Sequence, residues 1–213
     1  MVKLDILSDP VCPWCYIGKT NLARALEAAP DHPFVVEWHP FQLNPEMPKA
    51  GVDRRTYLEA KFGGPEPVAQ MQARLDQHAA AAGLTIPWER IPRVPNTLDA
   101  HRLIHWAGIE ARQTPMVSAL FRAYWQEGRD IGDAATLAAI AGEAGLDAAM
   151  VAELLAGDAD AAEISARDAH SRARGVTGVP TFVIANRHVV NGAQPAELWT
   201  RVIEDIRGQL AAG

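Results

Sequence analysis

The chain has 213 residues, of which 48% are hydrophobic, and its formal net charge is −6 at pH 7. A chain of this length and composition buries a core without disulfide staples, as one domain or as one domain with an insertion. Acidic and basic residues are interleaved and no basic run is present, so we expect no nucleic-acid or membrane partner.

The amino-terminal segment has the pattern of a first strand. Residues 3–8 alternate polar and apolar side chains, and Asp9-Pro10 ends the run. Acids inside the apolar stretch and the lack of a small-residue cleavage site distinguish this segment from a signal peptide. No stretch of the chain approaches the roughly 20 apolar residues that a membrane-spanning helix requires. We therefore expect a cytoplasmic protein.

The chain contains two cysteines, Cys12 and Cys15, separated by Pro13 and Trp14. A disulfide across so short a segment constrains almost no chain entropy, so redox or metal chemistry explains the pair better than stability does. Pro13 is typical of the first turn of a helix, and apolar residues recur at helical spacing from there to Pro30. The sequence thus predicts a strand, a CxxC pair and a helix in succession.

The rest of the chain continues with a strand, a long helical block and a terminal hairpin. The predicted elements are a strand at 34–39, a loop at 41–51, helices without a strand pattern from about 54 to 174, strands at 181–184 and 188–190, and a helix at about 195–210. This order predicts an α/β fold with one mixed sheet covered on both faces. Residues 1–52 and 175–213, with part of the preceding helix, are predicted to form the sheet domain, and residues 53–174 an all-helical insertion domain.

A position at the start of a helix suits a reactive thiol. Unpaired N–H groups and the helix dipole favour negative charge there, so Cys12 is predicted to be the nucleophile and the more accessible cysteine. Cys15, one turn further in, is predicted to be the resolving thiol, within or near disulfide distance of Cys12. We expect Pro13 and Trp14 to influence the reduction potential, and Trp14 to offer a partly exposed apolar surface to the substrate.

Metal binding and plain packing are the alternatives for the cysteine pair. A zinc site built on CxxC normally needs two further cysteine or histidine ligands at matching spacing, and the seven histidines are scattered. His101 and His105 share a helix face, yet two ligands make an incomplete site, so we predict no metal. Two inert core cysteines are the other alternative, against which Pro13 and the strand-to-helix position argue.

A second element near the end of the chain points to the same chemistry. The run Gly178-Val179-Pro180-Thr181 begins the third predicted strand. A cis bond at Val179–Pro180, facing the cysteines, would free the Val179 backbone to pair with a substrate strand. The alternative is an ordinary trans proline that opens an edge strand.

Four segments carry a resemblance to a known family, namely residues 8–15 (SDPVCPWC), 94–101 (VPNTLDAH), 178–181 (GVPT) and 191–194 (NGAQ). With the helical insertion, they make the chain resemble the DsbA-like thioredoxin superfamily over essentially its whole length. More narrowly it resembles the FrnE group, which is similar in outline to 2-hydroxychromene-2-carboxylate isomerases and kappa-class glutathione transferases. The resemblance implies a thioredoxin-like fold with a large all-helical insertion, and a dithiol oxidoreductase with Cys12 as nucleophile, Cys15 as partner and Pro180 as cis proline.

The same resemblance suggests that Asn96 and His101 lie near the cysteines and line the substrate cleft. A protonated His101 beside a thiolate would stabilise the negative charge. The alternative is that Asn96 caps a helix and His101 packs in the core.

Two departures from the wider family bear on the reaction. The isomerase and transferase relatives have a serine-type site that activates glutathione where this chain has Cys12, and Cys15 has no evident use in that chemistry. Many thioredoxin-like proteins carry a buried acid six residues before the first cysteine, where this chain has Ile6. Asp5 points to the opposite face of the strand, which leaves Asp9 or solvent to accept the proton of Cys15.

Three functions are therefore open. The first is a thiol–disulfide oxidoreductase that acts on polypeptides or small thiols through a redox-active disulfide, with no tightly bound cofactor. The second is a glutathione-dependent isomerase or transferase, in which glutathione is a co-substrate. The third is a non-enzymatic holdase or binding module. The oligomeric state is open, with a homodimer as one candidate.

Overall fold

A computed structural model describes residues 1–212 of the chain. Its elements are, in order, β1 (Val2–Ser8), α1 (Pro13–Ala28), β2 (Phe34–Pro40), β3 (Val52–Asp53), α2 (Arg54–Phe62), α3 (Pro65–Ala81), a 3₁₀ turn (Trp88–Arg90), β4 (Arg93–Val94), α4 (Leu98–Ile109), α5 (Gln113–Trp125), α6 (Ala134–Glu143), α7 (Ala148–Ala156), α8 (Ala161–Ala173), β5 (Thr181–Ile184), β6 (His188–Asn191) and α9 (Ala196–Ala212). Among these residues, no helix is both long enough and apolar enough to cross a membrane.

The main sheet has four strands in the order β2-β1-β5-β6. The central strand β1 pairs in parallel with β2 and antiparallel with β5, where Leu4 faces Ile184 and Ile6 faces Phe182. The β5–β6 hairpin then adds β6 antiparallel to β5. The predicted mixed sheet is confirmed. The long connection from β2 to β5 allows β5 to pair antiparallel with β1.

Alternation along the strands assigns one face of the sheet to the core. Leu4 and Ile6 are 0% and 1% exposed, and Phe182 packs its ring against Trp199 of α9, with ring centroids 4.7 Å apart. Helices α1 and α9 pack against each other on this face. Lys3, the residue before Leu4, therefore lies on the opposite face, where α8 packs beside β2.

The outer edge of β2 is closed by a side chain of α5. The backbone N–H of Trp38 donates to Gln113 Oε1 at 2.8 Å, and Gln113 Nε2 donates to the carbonyl of Trp38 at 3.0 Å. These two bonds replace those that a neighbouring strand would make. The edge strand therefore does not present its Trp38 backbone groups to another chain.

The helical part contains a small antiparallel ladder that the sequence analysis did not predict. Strands β3 and β4 pair at Val52 with Val94 and at Asp53 with Arg93, inside or beside the region expected to lack strands. A ladder of two residues on each side has no alternation long enough to recognise, so that expectation was wrong for a physical reason.

A buried arginine ties α4 to the region around α7. Arg102 is 2% exposed, and its guanidinium donates to the carbonyls of Ala159, Leu154 and Gly157 at 2.6 to 2.8 Å. It also pairs with Asp99 at 2.7 Å. The charge is thus buried with its donors satisfied, which is the condition under which a buried arginine is tolerated.

Candidate functional site

The two cysteines lie at the start of α1, directly after the central strand. Cys12 is the N-cap residue, with φ −89° and ψ 116°, and Pro13 occupies the first helical turn. The backbone N–H of Cys15 donates to Cys12 Sγ at 3.4 Å. An unpaired donor of the first turn thus points at the sulfur, and this arrangement favours negative charge on Cys12.

Both cysteines are free thiols and both are buried. Cys12 is 3% exposed and Cys15 is 1% exposed, so Cys12 is the more accessible cysteine as predicted, but by a small margin, and both sulfurs are almost fully enclosed. One contact over Cys12 comes from a distant part of the chain, since its Sγ lies 3.6 Å from the carbonyl oxygen of Val179. Any group that reacts with Cys12 Sγ must first replace this contact.

The loop that carries Val179, residues 175–180, lies close to α1 at Gly18. The Val179–Pro180 peptide bond is cis. A Cβ atom at Gly18 would lie 3.1 Å from Pro180 Cγ and 3.3 Å from Ala193 Cα. Gly18 therefore permits an approach between α1 and this loop that a larger residue would oppose.

Trp14, between the cysteines, is half-buried as expected. Its ring meets the edge of His78 on α3, with centroids 4.9 Å apart. The helical part also reaches the turn before the cysteines, because Trp125 Nε1 donates to the carbonyl of Pro10 at 2.9 Å. One residue within the CxxC pair and one before it are thus positioned by helices α3 and α5.

Asp9 carries a fully buried carboxyl group three residues before Cys12. Its Oδ2 accepts from the N–H of Leu43 at 2.7 Å, and its Oδ1 accepts from the N–H of Val11 at 3.4 Å. These bonds favour the ionised form, yet burial outweighs them and raises the pKa of Asp9 to about 7. Asp9 therefore changes its protonation state near neutral pH.

The Cys15 thiol is close to the backbone N–H of Asp9 and to the Ser8 side chain. Burial raises the pKa of Cys15, contact with the Cys12 thiol raises it further, and the backbone N–H of Asp9 acts in the opposite direction. Cys15 is thus a thiol at rest, and it must lose a proton before it can attack a disulfide.

His101 lies beside Asp9, with Nε2 3.8 Å from Asp9 Oδ1. Burial lowers the pKa of His101 to about 4, so the ring is neutral near pH 7 and the suggested role of a protonated His101 is wrong. His101 Nε2 is buried without a hydrogen-bond partner, and His101 and Ser8 both line a small cavity of about 10 Å³. This cavity is at the lower limit of the size that holds one water.

The side-chain hydrogen bonds of Asn96 are made to backbone groups and not to the cysteines. Its Nδ2 donates to the carbonyl of Met47 at 2.6 Å, and its Oδ1 accepts from the N–H of Leu98 at 2.9 Å. Asn96 thus joins the loop after β2 to the start of α4, which matches the capping alternative.

His105, the second histidine of the pair considered for metal binding, lies among charged side chains. A group of three side chains, His105, Asp160 and Glu163, has ligand atoms within 4.8 Å of one another. However, Arg167 donates to His105 Nδ1 at 3.2 Å, and a guanidinium has no acceptor. A metal-bound histidine usually donates its other N–H to an acceptor, so a cation at this position opposes a metal.

A CxxC pair at the first turn of the helix after the central strand, facing the loop before β5, defines a thioredoxin-like protein with a dithiol site. The chain belongs to the DSBA-like thioredoxin domain family, whose model matches residues 3–204. This confirms the family and fold expected from the sequence, a thioredoxin-like fold with a helical insertion.

Three similar proteins span almost the whole chain. A probable DsbA oxidoreductase of Streptomyces coelicolor is 35% identical, with a TM-score of 0.86 over 98% of this chain and 91% of that chain. The YwbO protein of Bacillus subtilis is 28% identical over 206 residues, 96% of each chain. A 2-hydroxychromene-2-carboxylate isomerase is 18% identical, with a TM-score of 0.71 over 98% of this chain and 96% of that chain, which is a likeness of fold alone.

Proposed function

We propose that this protein is a thiol–disulfide oxidoreductase that exchanges disulfides through Cys12 and Cys15. The observation that carries the proposal is the placement of Cys12 Sγ at the helix start, where it accepts the N–H of Cys15 at 3.4 Å. The Cys12 thiolate attacks a substrate disulfide, one substrate thiolate leaves, and a mixed disulfide forms. Cys15 then attacks the sulfur of Cys12 and releases the second substrate thiolate. The protein is left with a Cys12–Cys15 disulfide, and two electrons have passed to the substrate.

Asp9 is the group that we assign to the proton of Cys15. The family position six residues before the first cysteine holds Ile6, which has no carboxyl group. Asp9 is buried, its backbone N–H contacts the Cys15 sulfur, and its pKa near 7 suits proton transfer at neutral pH. In this role Asp9 is a positioning and proton-accepting group, while the sulfurs carry the electrons.

This scheme needs no tightly bound cofactor. The electrons come from the dithiol, and a small thiol such as glutathione is a candidate donor that would return the disulfide to the reduced state. The proposed substrates are disulfides of polypeptides or of small thiols. The buried Cys12 limits access to groups that can replace the contact with Val179.

The test follows single-cysteine variants by intact mass. With a disulfide peptide, Cys15→Ser should accumulate a mixed disulfide at Cys12, and Cys12→Ser should not. The unmodified protein should release both peptide thiols and lose two hydrogens as its own disulfide forms.

A glutathione-dependent isomerase would behave differently, because its activity would need glutathione and would survive Cys15→Ser. Absence of a mixed disulfide in Cys15→Ser would contradict thiol–disulfide exchange. Retention of full activity in the variant that lacks both cysteines would contradict it equally.

A further inference from the structure

A cleft of about 800 Å³ lies on the half of the sheet that α8 leaves uncovered. Its floor includes three apolar side chains that face away from α1 and α9, namely Leu7, Val183 and Val189. Its walls are the end of α8, the 175–180 loop and the turn between β5 and β6. The volume is within the range of small-molecule sites.

The cleft is cationic although the chain is acidic overall. Arg174 at the end of α8 and Arg187 in the β5–β6 turn line it, and both are exposed. Neither guanidinium forms an ion pair within the described part of the chain. The carboxylate in the cleft, Asp5, is already bound by Lys3 at 2.9 Å and by His39 at 2.5 Å. Two positive charges are therefore left for a ligand.

The size and lining of the cleft indicate which kind of ligand it can bind. Strand β5 has four residues and so spans about 13 Å along the cleft. One end is Val179, whose carbonyl contacts Cys12, and the other end is Arg187. The walls make the site concave, a shape that suits a small molecule better than a flat protein or membrane surface. A guanidinium binds a carboxylate through two parallel N–H groups, and the apolar floor suits a hydrocarbon body.

We propose that this cleft binds an organic anion, an apolar body of about 13 Å that carries carboxylates, and that it thereby selects acidic disulfides for Cys12. The second part rests on the proposed function, because it requires Cys12 to exchange disulfides. With dithiobis(nitrobenzoate), Cys12 would displace one thionitrobenzoate and form a mixed disulfide. Cys15 would then displace the second thionitrobenzoate and close the protein disulfide.

The first experiment compares this dicarboxylate with the uncharged dithiodipyridine. The double variant Arg174→Gln/Arg187→Gln should react roughly tenfold more slowly with the dicarboxylate and at an unchanged rate with dithiodipyridine. The control is Arg90→Gln/Arg201→Gln, which removes the same charge from exposed arginines that do not line the cleft. The control should react with both reagents as the unmodified protein does. Equal effects of the two double variants would overturn the proposal.

The second experiment measures binding without chemistry. The Cys12→Ser/Cys15→Ser protein should bind dithiobis(nitrobenzoate) in equilibrium dialysis, and adding the two cleft substitutions should raise the Kd roughly tenfold. An unchanged Kd would overturn the cleft as an anion site, whatever the cysteines do. Selective binding in a protein whose cysteines exchange neither disulfide would support the cleft and contradict the proposed function.

Discussion

Asp9 and His101 are two buried groups whose titrations should oppose each other in the stability of the fold. The pKa of Asp9 is raised to about 7, so between pH 4 and 7 the folded chain holds a proton that the unfolded chain has lost. Its contribution to stability is present at low pH and is lost as the pH rises. The pKa of His101 is lowered to about 4, so its contribution is lost as the pH falls from 6.5 to 4.

The size of each effect follows from the shifts. One unit of pKa corresponds to about 1.4 kcal/mol, so Asp9 contributes a fall of about 4 kcal/mol with rising pH, and His101 a rise of about 3 kcal/mol. The two nearly cancel between pH 4 and 6.5, because the folded pair and the unfolded pair each hold one proton. The stability of the unmodified protein should therefore change little over this pH range, although both groups affect it.

Substituting one residue at a time should reveal the separate effects of Asp9 and His101 on stability. We expect the free energy of unfolding of Asp9→Asn, minus that of the unmodified protein, to rise by about 4 kcal/mol between pH 4 and 7. The same difference for His101→Gln should fall by about 3 kcal/mol between pH 4 and 6.5. Urea unfolding followed by far-UV circular dichroism at several pH values measures both. Flat difference curves, or curves of the same sign, would refute the assignment of these groups as buried and oppositely shifted.

Substitutions at three further positions test the packing of the fold and the site. Gly18→Ala should slow disulfide exchange, because its Cβ would lie 3.1 Å from Pro180 Cγ, while urea unfolding should change by less than about 1 kcal/mol since alanine favours the helix; an unchanged exchange rate would contradict this. Gln113→Met should cost about 1 to 2 kcal/mol in urea unfolding, as both bonds to the Trp38 backbone are lost. Arg102→Met should cost about 3 to 5 kcal/mol by leaving buried acceptors unpaired, and Arg102→Lys should recover only part of this. A loss of less than about 0.5 kcal/mol for Gln113→Met or for Arg102→Met would show that the hydrogen bonds of that side chain do not stabilise the fold.

The fold was largely predictable because its strands and long helices carry periodic patterns. Alternation marked β1, and the hairpin turn at Ala185 and Asn186 has the left-handed backbone that a tight turn needs. The ladder between β3 and β4 escaped prediction because two residues cannot show a period. The capping of β2 by Gln113 escaped it too, since the partner lies 75 residues further along the chain.

The site was predictable where its residues are neighbours in the sequence and not where distant segments meet. The position of the cysteines at a helix start follows from Pro13 and the preceding strand. The burial of Cys12 depends on Val179, which is 167 residues away. Sequence reasoning named Asp9 as a possible proton acceptor, but its burial beside His101 depends on packing between β1 and α4. Arg174 and Arg187 belong to no sequence motif, so the sequence did not mark them as site residues.

The central position of β1 has a consequence for the order in which the protein is made. Leu4 and its partner Ile184 are separated by 180 residues, so β1 pairs on one side with a strand that is synthesised much later. At about 5 to 20 residues per second, synthesis of that interval takes on the order of 10 to 40 s. During this time β2 can pair with β1, but the other edge of β1 has no partner strand. The sheet, and with it the contact of Val179 over Cys12, is completed only after α1 to α8 have been made, so the cysteine pair stays uncovered on this side while those helices are synthesised.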